Sequence, residues 1–290
     1  MNQLDNGILF EDSYLGVTVG ALIFSHGAIL VDAPLRIEDS RSWRSVLVNQ
    51  RSGSNRLLVS LDAHPDRTLG ARSMDCTIIA HQKAAQIFRT RPAIFKGQSV
   101  ETGAFWETYP EAIGFRWASP DITFSDRMSI HWGGPEVILE HRPGPTPGSI
   151  WLSVPDIKVV YVGDTVVLNQ PPFLGQADLK NWIENLDLLT NSYHNFIIIS
   201  GRGGVVKIEE IRKFIKMLKD VHSKLNSLSS KNVIPEATQE LIPSLLSHYN
   251  SGKLRELFAT RLRYGLQQCF IRQFRPSGMI HSPETEFEEQ

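Results

Sequence analysis

The chain has 290 residues, a formal net charge of −1, and 41% hydrophobic and 21% charged residues. That profile fits a soluble globular protein of one large domain, or of one domain with an appendage. The near-neutral balance gives no electrostatic case for nucleic acid or an anionic membrane as partner, and two cysteines, Cys76 and Cys269, exclude a disulfide framework.

No apolar window is long enough to cross a bilayer, and the stretch Met1–Ser13 lacks the basic and apolar regions of a signal peptide. A cytoplasmic location is the expectation.

In chain order, Gly16–Phe24 and Ala28–Val31 read as strands separated by a Ser-His-Gly turn. Arg36–Asn49 reads as a helix, with Ile37, Trp43, Val46 and Leu47 near one face. Arg56–Leu61 is a short apolar strand that runs into Asp62-Ala63-His64-Pro65-Asp66-Arg67. Thr77–Ala80 predicts a further strand and His81–Phe88 a helix. Arg89–Phe115 breaks the pattern, with Pro92, Gly97, Gly103, Pro110 and Gly114 among the bulky Phe95, Phe105, Trp106 and Tyr109. This reads as a long loop or broken helical insertion whose aromatics either form a lid over a cleft or pack the insertion onto the core.

Strands follow at Met128–Trp132, Glu136–Glu140, Ile150–Val154 and Val159–Val162. Leu179–Leu189 reads as a helix and Phe196–Ser200 as a buried strand. Ile208–Leu225 carries an apolar stripe of helical period. Ser227–Asn232 reads as a polar linker, and Glu236–Phe274 as mostly helical. The domains expected are therefore 1–226, a C-terminal helical extension at 233–275, and a disordered tail at 276–290. The order of strands and helices fits two sheets packed face to face with helices outside.

Three polar stretches stand directly after apolar segments, where strand ends converge to build a site in a layered α/β protein. The first is Asp62–Arg67. The second is Gly144-Pro145-Thr146-Pro147-Gly148-Ser149, followed by Gly163-Asp164. The third is Gly201-Arg202-Gly203-Gly204. In order and spacing these resemble the metallo-β-lactamase superfamily, which carries His-x-His-x-Asp-His, then Gly-His-Thr-Pro-Gly-Ser, then Gly-Asp, then Gly-His-Gly. The resemblance spans roughly residues 16 to 225 and implies an α/β fold, a four-layer αββα sandwich of the metallo-β-lactamase type, here with an additional C-terminal helical segment.

The departures fall on the metal ligands. The first His of the family motif is Asp62 here, the second is kept as His64, and the motif Asp is kept as Asp66. The next His is Arg67. The His of the second stretch is Pro145, the bridging Asp is kept as Asp164, and the last His is Arg202.

The resemblance implies a first metal held by Asp62, His64 and Asp164, an O/N/O set suited to one zinc, manganese or iron ion. A second ion would sit among Asp66, Arg67, Asp164 and Arg202, and arginine cannot serve as a ligand. The alternative is a metal-free pocket in which Arg67 and Arg202 neutralise Asp62, Asp66 and Asp164, with a protonated His64 completing the balance or a neutral one leaving it nearly met. His141, four residues before Pro145, is a candidate compensating ligand, while His131 reads as a core or surface residue.

Two functions follow from this resemblance. One is a protein with a degenerate site that lacks dinuclear zinc hydrolase activity and binds an anionic small molecule or a partner through Arg67 and Arg202. The other is a mononuclear metal-dependent hydrolase acting on an ester, lactone, thioester or phosphodiester, with Asp66 as base. The C-terminal helices would cover the pocket or form a homodimer contact.

Overall fold

The computed structural model describes residues 2–4, 7–48, 55–91, 100–112, 116–231 and 233–274. Phe95 and the stretch 276–290, read above as a lid aromatic and a tail, lie outside the described residues. Among the described residues, thirteen strands and seven α-helices follow in chain order: β1 Asn2–Leu4, β2 Ile8–Glu11, β3 Val19–Phe24, β4 Gly27–Val31, α1 Ile37–Val48, β5 Asn55–Val59, α2 Pro65–Thr68, β6 Thr77–His81, α3 Gln82–Thr90, β7 Ile122–Phe124, β8 Arg127–Ile130, β9 Val137–His141, β10 Ile150–Val154, β11 Val159–Tyr161, α4 Leu179–Ser192, β12 Ile197–Ile199, β13 Val205–Val206, α5 Ile208–Ser230, α6 Ile242–Leu246 and α7 Arg255–Gln273.

The strands form two sheets. The first runs β1-β2-β3-β4-β5-β6-β7, antiparallel as far as β4 and parallel from β4 to β7. The second runs β13-β12-β11-β10-β9-β8, with only β11 and β12 parallel. Period-2 alternation decides which side chains meet between the sheets. In β10, Ile150, Leu152 and Val154 face the first sheet while Trp151 turns to the outer helices. In β11, Val159 and Tyr161 point inward and Val160 outward. Gly20 in β3 sits under the Tyr161 ring, so close that a Cβ there would lie 2.3 Å from it.

Helix α1 packs Trp43 and Leu47 on the outer face of the first sheet. Helices α4 and α5 cover the second, through Trp182, Leu186, Leu189 and the α5 stripe Ile211, Phe214, Ile215, Leu218, Val221 and Leu225. The result is helix, sheet, sheet, helix, as expected from the sequence.

Helix α5 runs on to Ser230, through most of the stretch read as a linker. Ser and Asn are tolerated there because the stripe has already fixed the helix against the sheet. Strand β8 ends at Ile130, and His131 is an exposed surface residue. The aromatic insertion carries two 3-10 turns, Phe105–Thr108 and Pro110–Ala112, and buries Phe105, Trp106 and Tyr109 against the core instead of covering an open cleft. The C-terminal helices join the same apolar cluster as α4 and α5 through Leu245, Phe258, Leu262, Leu266 and Phe270.

Candidate functional site

The C-terminal ends of β4, β5, β11 and β12 open onto one edge of the sandwich, and each delivers a charged residue. Asp32 follows β4, Asp62 to Arg67 follow β5, Asp164 follows β11 and Arg202 follows β12. The short helix α2 sets the β5 loop. His64 is its N-cap, accepting the Asp66 amide on Nδ1 at 3.2 Å, and Pro65 holds the first helical position. That turn aims Asp66 and Arg67 into the protein, where both are fully buried.

Arg67 faces three carboxylates. It donates through Nη1 to Asp32 at 2.7 Å and through Nη2 to Asp164, and its Nε lies 3.1 Å from Asp62. Arg202 donates through Nε to both oxygens of Asp164, at 3.0 and 3.2 Å, and through Nη1 to Asp66 at 2.8 Å and to the Gly16 carbonyl. Its Nη2 donates to His64 Nδ1 at 3.2 Å. Asp66 accepts in addition from the backbone amides of Trp106, at 2.8 Å, and Phe105. Asp62 accepts the His64 amide at 2.7 Å. Asp32 adopts a left-handed φ of 56° and accepts the Leu61 amide.

The sequence expectation thus brings Asp62, His64, Asp66, Arg67, Asp164 and Arg202 to one place. It missed three members. Asp32 stands after the apolar run of β4 as the other carboxylates stand after theirs, a signal present in Ala28–Asp32. Phe173 packs its ring on His64 at 4.3 Å and on the guanidinium of Arg202 at 4.7 Å. Arg261, from α7, lies over the same ring at 4.0 Å. Nothing in the pattern of α7 marks Arg261, which is one of several basic residues on an otherwise ordinary helix.

The electrostatics follow from burial and from who shares a charge. Burial pushes Asp164 up, but Arg202 and Arg67 together outweigh it and hold it well below the usual carboxylate range. Burial likewise opposes Asp66, and its neighbours His64 and Arg202 bring it below its ordinary value. Arg67 cannot hold three carboxylates ionised at once. Burial therefore wins at Asp32, which is pushed up to about 7 against the pull of Arg67, and Asp62 is raised for the same reason.

Burial lowers His64 to about 3, so its imidazole is neutral near pH 7. Of the two states of His64 that the sequence leaves open, burial favours the neutral one. Four carboxylates face Arg67 and Arg202 with Arg261 nearby, and burial pushes Asp32 and Asp62 toward their protonated forms.

The fold implies one or two divalent metal ions at this edge, and the donor set does not fit them. Both oxygens of Asp66 and of Asp164 and Oδ1 of Asp62 are engaged by a guanidinium or a backbone amide, and His64 Nδ1 accepts from Arg202 and from the Asp66 amide. Pro145 is buried in its turn and supplies no donor. Among the described residues no group of three or more His, Cys, Asp or Glu side chains is placed to hold an ion. His141 does not compensate. Its ring stacks on His81 at 3.7 Å and its Nε2 donates to the Pro147 carbonyl at 2.9 Å.

The fold and this strand-end cluster together define a metallo-β-lactamase-fold protein. Residues 70–201 match the model of the metallo-beta-lactamase superfamily, a stretch that begins just past Arg67 and ends immediately before Arg202. Over that stretch the chain is similar to the superfamily, and its fold is the one that superfamily's solved structures share. Comparison with curated proteins returned no sequence match.

Among solved structures the chain is similar to a metallo-β-lactamase from Pontibacter korlensis, with 15% identity and a TM-score of 0.57 over 75% of this chain and 97% of that one. It is similar to the metallo-β-lactamase DIM-1 at 16% identity, with a TM-score of 0.56 over 75% and 95%. It is also similar to a stereoselective inverting sec-alkylsulfatase from Pseudomonas sp. at 13% identity, with a TM-score of 0.63 over 99% of this chain and 52% of that one. At these identities the likeness is one of fold. Among the described residues no helix is long and apolar enough to cross a membrane.

Proposed function

We propose that this chain uses the metallo-β-lactamase fold without its metal chemistry. In this reading the two-metal centre is replaced by a buried carboxylate–guanidinium cluster, and the molecule acts by binding a small anion or a partner. The observation that carries it is the placement of Arg67 and Arg202. Both are buried, both bridge carboxylates, and both stand where the family resemblance places metal-bound histidines. Forked Arg–carboxylate bonds supply the positive charge that two dications would otherwise bring.

Two expected roles change with this reading. Arg67 and Arg202 are committed to carboxylates and are not the groups that meet a ligand. Asp66 is fully buried and accepts two backbone amides and a guanidinium, so it holds the 104–109 turn in place and is not poised to deprotonate water. The mononuclear hydrolase is disfavoured because Asp164 and Asp62 Oδ1 are held by guanidinium and amide donors.

Elemental analysis of protein purified without chelator tests the proposal. No stoichiometric zinc, manganese or iron is expected, and chelator leaves the melting temperature unchanged. A chain restored with Arg67→His, Pro145→His and Arg202→His is expected to take up zinc. Stoichiometric metal in the natural chain that disappears in Asp164→Ala sinks the proposal.

A further inference from the structure

Arg261 is a charged residue at this cluster that, among the described residues, makes no ion pair. It is buried at 1% exposure. Its Nε donates to the Gly103 carbonyl at 2.9 Å, and its Nη1 to Gln170 Oε1 at 2.7 Å and the Pro171 carbonyl at 3.1 Å. Its Nη2 is buried and has no hydrogen-bond partner among the described residues. Among the described residues no carboxylate lies within ion-pairing distance of it. Three rings surround the guanidinium instead, Phe173 at 4.0 Å and Phe105 and Phe258 at 5.4 Å each. Rings polarise toward a cation but bring no counter-charge. A buried N–H left unsatisfied is a standing penalty that a ligand oxygen relieves.

A second unused donor sits on the same aromatic wall. His64 Nδ1 accepts from the Asp66 amide and from Arg202, which places the ring proton on Nε2. That nitrogen has no partner among the described residues. The His64 side chain is 13% exposed, more than any carboxylate or arginine it touches, so it marks the way in from solvent. Both side chains pack on Phe173.

We propose that Arg261 Nη2 and His64 Nε2 form a binding site for a small monocarboxylate, with Phe173 as its apolar wall. This rests on the metal-free reading of the cluster and names the ligand class for it. Two unused donors, one on each side chain, match the two oxygens of a single carboxylate. Size selects a short acid, because Phe105, Phe173 and Phe258 crowd the Arg261 guanidinium.

The test is a titration of the full-length protein with sodium acetate against sodium chloride at matched ionic strength. It is read by the melting temperature and by the NMR signal of the His64 Nε2 proton. Saturable stabilisation by acetate but not chloride, with a shift of the His64 signal, is expected. His64→Asn keeps an acceptor at the helix N-cap and removes the Nε2 donor, and it should weaken acetate binding roughly tenfold or more. Arg261→Lys keeps the charge and loses the forked donor, and it should weaken binding similarly.

The absence of saturable acetate binding in the natural chain overturns the proposal, as does unchanged binding in His64→Asn. Metal content is measured on the same samples. A metal-free protein that does not bind acetate overturns this site alone, whereas stoichiometric metal overturns the reading beneath it.

Discussion

At the scale of single residues, the cluster is held by shared charge. Arg67 is the member with the most to lose, since it faces Asp32, Asp62 and Asp164 from the interior. Removing one partner of a buried pair leaves an uncompensated charge, typically about 3–5 kcal/mol. Arg67→Met should therefore lower the unfolding free energy by about that much in urea denaturation, and a loss under about 1 kcal/mol would show that the carboxylates find another partner.

The pH dependence comes from Asp32 and the histidines, with opposite signs. Asp32 is pushed up to about 7 in the fold, so it keeps its proton where the unfolded chain has released it, and stability drains away as pH rises toward 7. His64, His81 and His141 are all lowered, chiefly by burial, so their contribution is intact above about pH 6.5 and is lost as pH falls below it. Asp32→Asn removes only the first effect. Between pH 5 and 7 its stability should rise with pH more steeply than that of the natural chain, by up to about 1.4 kcal/mol per unit. Parallel curves for the two proteins would count against a proton on Asp32.

At the scale of elements, the cluster depends on pieces far apart in sequence. The turn at Phe105–Thr108 is tied to α2 through Asp66 and organised by Glu107, which accepts the amides of Thr102, Gly103 and Ala104. Helix α7 closes on that turn at Gly103. The glycine has a φ of 69°, and a Cβ there would lie 2.5 Å from the backbone of Leu257 and Arg261. Gly103→Ala combines a left-handed alanine, about 1–2 kcal/mol, with a displaced helix. Its melting temperature should fall, and acetate binding should fall with it because Arg261 moves. A variant with both properties unchanged would mean that α7 does not position Arg261.

At the scale of the whole molecule, the C-terminal helices and the second sheet share one apolar cluster, in which Phe258, Leu262 and Phe270 join Trp182 and Leu218. A shared core couples its parts, so urea unfolding followed by fluorescence and by circular dichroism should give one coincident transition. Two separated transitions would mark residues 233–275 as an independent unit. The layered architecture was legible in the sequence because strand and helix periods are local. Ile150, Leu152 and Val154 alternate with Trp151 whatever lies opposite, and the α5 stripe repeats along a single helix. The strand-end motifs were legible for the same reason, since each is a short run after an apolar strand, and they gave Asp62, His64, Asp66, Arg67, Asp164 and Arg202.

What the sequence by itself determined is therefore the sheet-and-helix order and the fact that arginine and proline stand where a metal site needs histidine. What only the tertiary structure decided is how the charges divide. Which carboxylates share Arg67, that Asp32 is one of the three, and that Arg261, 59 residues beyond Arg202, brings a donor unmatched among the described residues are matters of distance and burial. Coulomb energy and desolvation depend on separations in space, and those are set by packing between segments that no local pattern connects.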